Sequence, residues 1–259
     1  MFDSHCHIND DALFENRKEI LFEAKNEFVV NGLLCVGWDV ESSKKALQIA
    51  NEFPFVYAAV GIHPENLDGV TMSDLEAIEE LAKDPKVKAI GEIGLDYHWE
   101  KEPLKHRVQR EFFIRQIELA NKLGLPVTIH ARDAAQDTFD ILNEHPIHSN
   151  FSLHCYSGSL EMMKRFVERF DCYFGFDGPI TYKNASSPKE NVAFCPLNRL
   201  LLETDSPYLP PVPYRGRTNK PSFLPLIAET ASLLKGIPMD ELTRQTDENA
   251  CRLFHVELK

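Results

Sequence analysis

The chain has 259 residues and a net charge of −12, with 43% hydrophobic residues. That length suits one α/β barrel of about 250 residues with a core of ordinary size. The acidity argues against an extended footprint on duplex nucleic acid, which needs a basic face, but not against a small site that takes one strand end where bound cations supply positive charge.

The first eleven residues, MFDSHCHINDD, are polar and acidic. They lack the basic start and apolar stretch of a secretory signal, and no run of about 18 apolar residues suggests a membrane helix. The six cysteines, at 6, 35, 155, 172, 195 and 251, form no CxxC pair. Reduced thiols in a cytoplasmic protein are the simplest reading. No low-complexity segment or composition shift interrupts the chain, so one domain over residues 1–259 is expected. Nothing points to an obligate protein partner, and a monomer is expected.

Short apolar runs rich in β-branched and aromatic residues predict strands at 1–7, 29–38, 55–62, 87–95, 125–130, 150–155, 171–176 and 199–204. Amphipathic stretches lie between them. Ser73-Asp74-Leu75-Glu76 reads as a capping box before a helix carrying Leu75, Ile78 and Leu81. Phe113, Ile117, Ala120 and Leu123 recur at helical spacing until Gly124 and Pro126 stop the helix. Ser187-Pro188-Lys189-Glu190 repeats the cap pattern, with proline at the first helical position. A Pro-rich loop then leads to helices at 224–234 and 238–254. Eight alternating units predict a TIM-type (β/α)8 barrel, with an open doubly wound sheet as the competing architecture.

The polar residues favour the barrel. His5 and His7 close the first predicted strand. Glu92 lies late in the fourth, His130 closes the fifth, His154 the sixth, and Asp205 follows the eighth. Ring closure would gather these six groups at one face, where barrel enzymes carry their chemistry. Residues two apart on a strand share a face, so His5 and His7 can grip one ion. Imidazole with carboxylate suits zinc or manganese, with magnesium more dependent on carboxylate and water. Any one of these histidines alone reads equally as a core residue bonded to a carbonyl. Six polar groups buried together without purpose would cost several kcal/mol.

The chain resembles the TatD family of metal-dependent hydrolases, which have an amidohydrolase-type barrel. The resemblance runs along its whole length. It rests on Phe2-Asp3-Ser4-His5-Cys6-His7, Gly61-Ile62-His63-Pro64, Gly91-Glu92-Ile93-Gly94-Leu95-Asp96-Tyr97, Pro126-Val127-Thr128-Ile129-His130-Ala131-Arg132, His154-Cys155-Tyr156-Ser157-Gly158, Glu203-Thr204-Asp205-Ser206-Pro207-Tyr208 and Asn249-Ala250-Cys251-Arg252-Leu253-Phe254. It implies two divalent ions, one on His5, His7, Glu92 and Asp205, the other on Glu92, His130 and His154, with Glu92 bridging. It also implies hydrolysis, with deoxyribonuclease and 3′ exonuclease activity on single strands described in the family. Tyr156 stands where Phe is common and Ser206 where Ala is common. Both lie beside implied ligands and bear on substrate preference.

Asp205 and Glu92 are therefore the expected catalytic carboxylates, Asp205 taking the proton of the attacking water. A turn residue before Ser206-Pro207 is the plainer reading of Asp205. The expected substrate contacts are His63, Arg132, Tyr156, Arg215 and Arg217, with Asn219 and Lys220 completing a local basic cluster. A core histidine, a surface ion pair and an exposed charged loop are the respective alternatives for His63, Arg132 and the cluster. Tyr97, His98 and Trp99 could stack on a base or pack their loop. Cys6 and Cys155 are expected to be small core residues. The expected substrate is a nucleic acid end. A small amide or ester, or an aminoacyl-tRNA ester, is the alternative, because fold and metals do not fix substrate.

Overall fold

The computed structural model describes residues 1–258. Lys259, the last residue of the expected domain, lies outside them. The first half of the chain runs β1 (Phe2–Cys6), α1 (Asp11–Phe14), α2 (Arg17–Asn26), β2 (Gly32–Val36), α3 (Val40–Glu52), β3 (Val56–Val60), α4 (Met72–Leu81), β4 (Val87–Asp96) and α5 (Pro103–Leu123). It continues with β5 (Val127–Arg132), α6 (Ala135–Glu144), β6 (Phe151–Leu153), α7 (Leu160–Arg169), β7 (Cys172–Phe176), α8 (Ser186–Phe194), β8 (Leu200–Leu202), α9 (Leu224–Lys235) and α10 (Met239–Phe254).

The strands form one sheet in the order β1-β2-β3-β4-β5-β6-β7-β8, and each neighbouring pair is parallel. This is the expected TIM-type barrel. The first and last strands meet just past the end of β8. Asp205 donates its backbone N–H to His5 O at 2.9 Å, and His7 donates to Ser206 O at 2.7 Å. Below them, Asp3 accepts from Thr204 N at 2.9 Å and from Thr204 Oγ1 at 2.6 Å. Among the described residues no helix is long and apolar enough to cross a membrane.

Parallel strands covered on both faces must be apolar on both, and β2 is buried at all five positions. Its residues divide by period two. Leu33 and Cys35 join the large cluster that includes Leu21 and Ala24 of α2 and Ala46 and Ile49 of α3. Leu34 and Val36 join a second cluster with Phe2, Tyr173, Leu201 and, from α10, Leu253 and Phe254.

Several boundaries differ from expectation. Helix α4 begins at Met72, so the cap is Thr71, whose N–H bonds to Asp74 Oδ2 at 2.8 Å; Ser73 already lies in the first turn. Helix α8 begins at Ser186 after Ala185, which offers no side-chain cap, and Pro188 falls third, where its missing N–H still costs no intrahelical bond. Strand β5 runs two residues beyond His130. Strand β8 is only three residues long, because Leu197–Arg199 winds into a 3-10 turn before it. Helix α5 ends as expected at Gly124, whose left-handed φ of 67° suits a residue without a side chain.

Candidate metal centre

The six side chains expected to meet do meet. Glu92 is central. Its Oε2 lies 3.4 Å from His5 Nε2 and 3.7 Å from His7 Nε2. Its Oε1 lies 2.9 Å from His130 Nδ1 and 2.8 Å from His154 Nε2. Asp205 Oδ1 flanks the first group, 3.4 Å from His7 Nε2. One carboxylate thus faces two pairs of imidazoles, one with each oxygen.

The ring orientations follow from the far sides of the rings. His7 Nδ1 lies 2.9 Å from Val36 O, which can only accept, so this nitrogen carries the proton and Nε2 presents its lone pair to Glu92 and Asp205. His130 is turned the other way: Nε2 lies 2.8 Å from Asp96 Oδ2, leaving Nδ1 for the centre. His5 Nδ1 meets Thr128 Oγ1 at 3.2 Å. His154 Nδ1 is buried without a hydrogen bond, 3.5 Å from Glu203 Oε1.

Lone-pair atoms therefore converge. His5 Nε2 and His7 Nε2 are 3.3 Å apart, and His130 Nδ1 and His154 Nε2 are 3.4 Å apart. Electron-rich nitrogens and carboxylate oxygens crowded out of water fit a cation between them. One group whose atoms close on a common point is His5, His7 and Glu92.

Electrostatics point the same way. Burial raises the Glu92 carboxyl, but the charges of His154, His63 and His5 outweigh it and hold it well below the usual carboxylate range. Burial likewise raises Asp205, and the His7 hydrogen bond with the nearby imidazoles brings it below its ordinary value. Burial keeps His5 and His63 below the ordinary imidazole value, whereas at His7, His130 and His154 burial is outweighed by the neighbouring carboxylates, which raise all three; the carboxylates thus draw positive charge into the centre.

The centre floors a cavity of about 640 Å³, lined by His7, Glu92, His130, His154 and Asp205, with His63 and Arg132 on its wall. His63 differs from the other imidazoles. Its Nδ1 accepts from Glu65 N at 3.2 Å, so Nε2 carries the proton and is a donor, 3.5 Å from Glu92 Oε1. The Arg132 guanidinium lies over the Trp99 ring, 5.4 Å from its centroid, and makes no ion pair among the described residues.

The other expected substrate residues are not at this cavity. Tyr156 is buried in the core, and its hydroxyl donates to Ser159 O at 3.0 Å. Arg215 lies over the ring of Tyr182 and Arg217 over that of Tyr214. Lys220 is paired with Glu23 at 2.6 Å, and Asn219 is buried, donating to Thr204 O and Tyr208 O. The basic cluster is thus divided: Asn219 and Lys220 are engaged within the fold, while Arg215 and Arg217 stay exposed on the loop. Cys6 is in the core as expected, but Cys155 lines the cavity. Its left-handed φ of 41° breaks the strand alternation there.

Asp96 is a further partner of the centre, and its place in the strand makes it readable from the sequence. It lies four residues from Glu92 on β4, hence on the same face. Burial raises its carboxyl, but the His130 bond and the N–H groups of Trp99 and His98 bring it down to about 2. Gly94 between them has a φ of 142°, and a side chain there would stand 2.0 Å from His130 O. Its absence lets β4 and β5 approach closely enough for His130 to reach both carboxylates. Glu203 carried no such signal.

A family model described as TatD-related DNase matches residues 2–255. The uncharacterized metal-dependent hydrolase YabD of Bacillus subtilis is 41% identical over 257 residues, covering 99% of each chain. The uncharacterized metal-dependent hydrolase YcfH of Escherichia coli K12 is 35% identical, over 99% of this chain and 96% of its own. Among solved structures, YJJV, a TatD homolog from Escherichia coli K12, superposes with a TM-score of 0.93 at 30% identity, over 99% of this chain and 98% of the other. With that match spanning the motifs that build the centre, the chain belongs to the TatD family of metal-dependent hydrolases.

Proposed function

We propose that the chain is a phosphodiesterase that removes nucleotides from single-stranded DNA ends, acting as a 3′–5′ exonuclease with two divalent cations. The observation that carries this reading is Arg132. In a chain with a net charge of −12, a cavity already holding Glu92, Asp96 and Asp205 also presents a guanidinium with no carboxylate partner among the described residues. An anionic substrate is the natural counter-charge, and a planar guanidinium matches two phosphate oxygens at once.

His5, His7, Glu92 and Asp205 would hold one cation, and Glu92, His130 and His154 the other. Four imidazoles favour zinc on ligand softness, with manganese or magnesium as alternatives. When bound, such ions supply Lewis acidity, lowering the pKa of water and offsetting charge on oxygen.

The chain's own groups do the rest. Arg132 orients the phosphodiester, and the His63 Nε2–H donates to one of its oxygens. Asp205 is ionised and takes the proton of the attacking water. Glu92 stays ionised through burial because imidazoles surround it, and it orients both ligand sets.

The same centre serves a small ester or amide. The modest cavity and the acidic chain favour that second reading. A panel decides between them: single-stranded oligonucleotides, small esters and small amides, each with defined zinc, manganese or magnesium. End-wise release of mononucleotides at a kcat/KM well above that for esters and amides is expected. Efficient turnover of a neutral ester with no oligonucleotide cleavage would overturn the proposal.

A further inference from the structure

Three aromatic side chains follow β4, and two are engaged elsewhere. The Tyr97 ring stacks on His106 at 3.8 Å, and its hydroxyl donates to Asp137 Oδ2 at 2.8 Å. His98 Nδ1 lies 3.0 Å from Asp133 Oδ2. Trp99 is different. It lines the cavity, yet it is 66% exposed. Arg132 lies over its ring and His98 stands edge-on to it at 4.8 Å. The other aromatic groups on the wall, Trp38 and Tyr208, are both edge-on to His7, at 5.4 and 5.9 Å, and so belong to the metal face.

So large an apolar surface, left in water beside a guanidinium without a carboxylate, has no packing role that accounts for it. Tryptophan offers a broad π-face, and bases stack on such faces whatever their sequence. A phosphate on Arg132 would bring an attached base within reach of the indole.

We propose that Trp99 is a stacking platform for the nucleobase next to the phosphate held by Arg132, and that it makes the site select unpaired strand ends. The inference rests on the phosphodiesterase reading. Bases inside a duplex have both faces stacked on neighbours, so only a frayed or single-stranded end can offer one. Because every base has a π-face, the platform gives little preference among bases.

The test uses zinc-loaded protein and fluorescein-labelled tetrathymidylate with phosphorothioate linkages, which resist hydrolysis, beside an abasic strand of equal length. Affinity is read by anisotropy. Indole quenching supplies a second signal, since Trp38 and Trp99 are the only tryptophans. The wild type is expected to bind tetrathymidylate more tightly than the abasic strand, with quenching. Trp99→Ala should weaken tetrathymidylate about tenfold or more, down to the abasic level, while Trp99→Phe keeps most of the affinity. Unchanged affinity in Trp99→Ala would overturn the platform and leave the phosphodiesterase reading standing. An equal loss on both strands would also overturn it, because Trp99 would then act only by holding Arg132. Wild-type protein that neither binds the strands nor cleaves any oligonucleotide overturns the phosphodiesterase reading itself.

Discussion

Asp96 Oδ2 lies 2.8 Å from His130 Nε2, on the side of the ring away from Glu92. This contact decides which nitrogen of His130 faces the centre with a lone pair. Asp96 Oδ1 is meanwhile fixed by the N–H groups of His98 at 2.8 Å and Trp99 at 3.0 Å. Asp96→Asn keeps that oxygen and replaces the other by an NH₂ group. The amide can only donate toward Nε2, so the ring proton moves to Nδ1 and blocks the lone pair. Metal affinity should fall about 10- to 100-fold with the fold retained. Calorimetric titration of zinc into metal-free variant and wild type checks this; equal affinities would remove Asp96 from the centre.

Asp205 has two separable jobs. Its backbone N–H bonds to His5 O and helps close the ring, while its carboxylate faces His7. Asp205→Asn leaves the backbone bond intact and removes a charge and a proton acceptor. Thermal unfolding should shift little, while kcat on a phosphodiester falls about 10²- to 10⁴-fold, the usual span for a lost general base. Near-normal turnover at full metal loading would refute the role.

Much of this arrangement was legible because parallel-barrel strands read as apolar runs and the centre's residues stand where those runs end. His5, His130 and Asp205 could be placed by that rule, whereas Glu92 stands inside β4, four residues before its end. It fails where the chain leaves the strand. Cys155 has a positive φ just beyond β6, so the alternation that should have buried it turns it toward the cavity, and Tyr156 turns into the core. Arg215 and Arg217 were expected beside the substrate and do not line the cavity, for another reason. Charge clustering in sequence says nothing of how a loop folds on itself, and here each arginine lies over a nearby tyrosine. Glu203 is invisible for the converse reason: it meets His154 only because β6 and β8 flank β7 in the closed sheet.

The seam between β1 and β8 depends on a buried carboxyl. Asp3 is fully buried and accepts both the N–H and the hydroxyl of Thr204. Asp3→Ala leaves the buried Thr204 N–H unsatisfied, at about 1–3 kcal/mol, while the Thr204 hydroxyl keeps Ser206 Oγ at 3.1 Å as its acceptor. For a chain of this size that corresponds to a Tm lower by about 2–10 °C. Differential scanning fluorimetry reads it directly. A change of about 1 °C or less would mean that the strands hold the seam without this clasp.

Arg132 separates substrate charge from metal chemistry. It sits on β5 two residues beyond His130, on the same face of the strand, yet it lies over the ring of Trp99 and makes no hydrogen bond or ion pair with the described residues assigned to hold metal. Arg132→Ala should therefore leave zinc stoichiometry at the wild-type value, measured by plasma mass spectrometry. It should raise KM for a phosphodiester about tenfold or more, as expected when a charge-assisted hydrogen bond of roughly 1.5–3 kcal/mol is lost. KM for a neutral ester should change far less, because an uncharged carbonyl gives the guanidinium no counter-charge. A rise in KM with kcat unchanged would mean that Arg132 holds ground state and transition state alike, whereas an equal fall in kcat and kcat/KM would place its contact in the transition state. Equal effects on the diester and the ester would show that the guanidinium shapes the wall of the cavity and reads no phosphate.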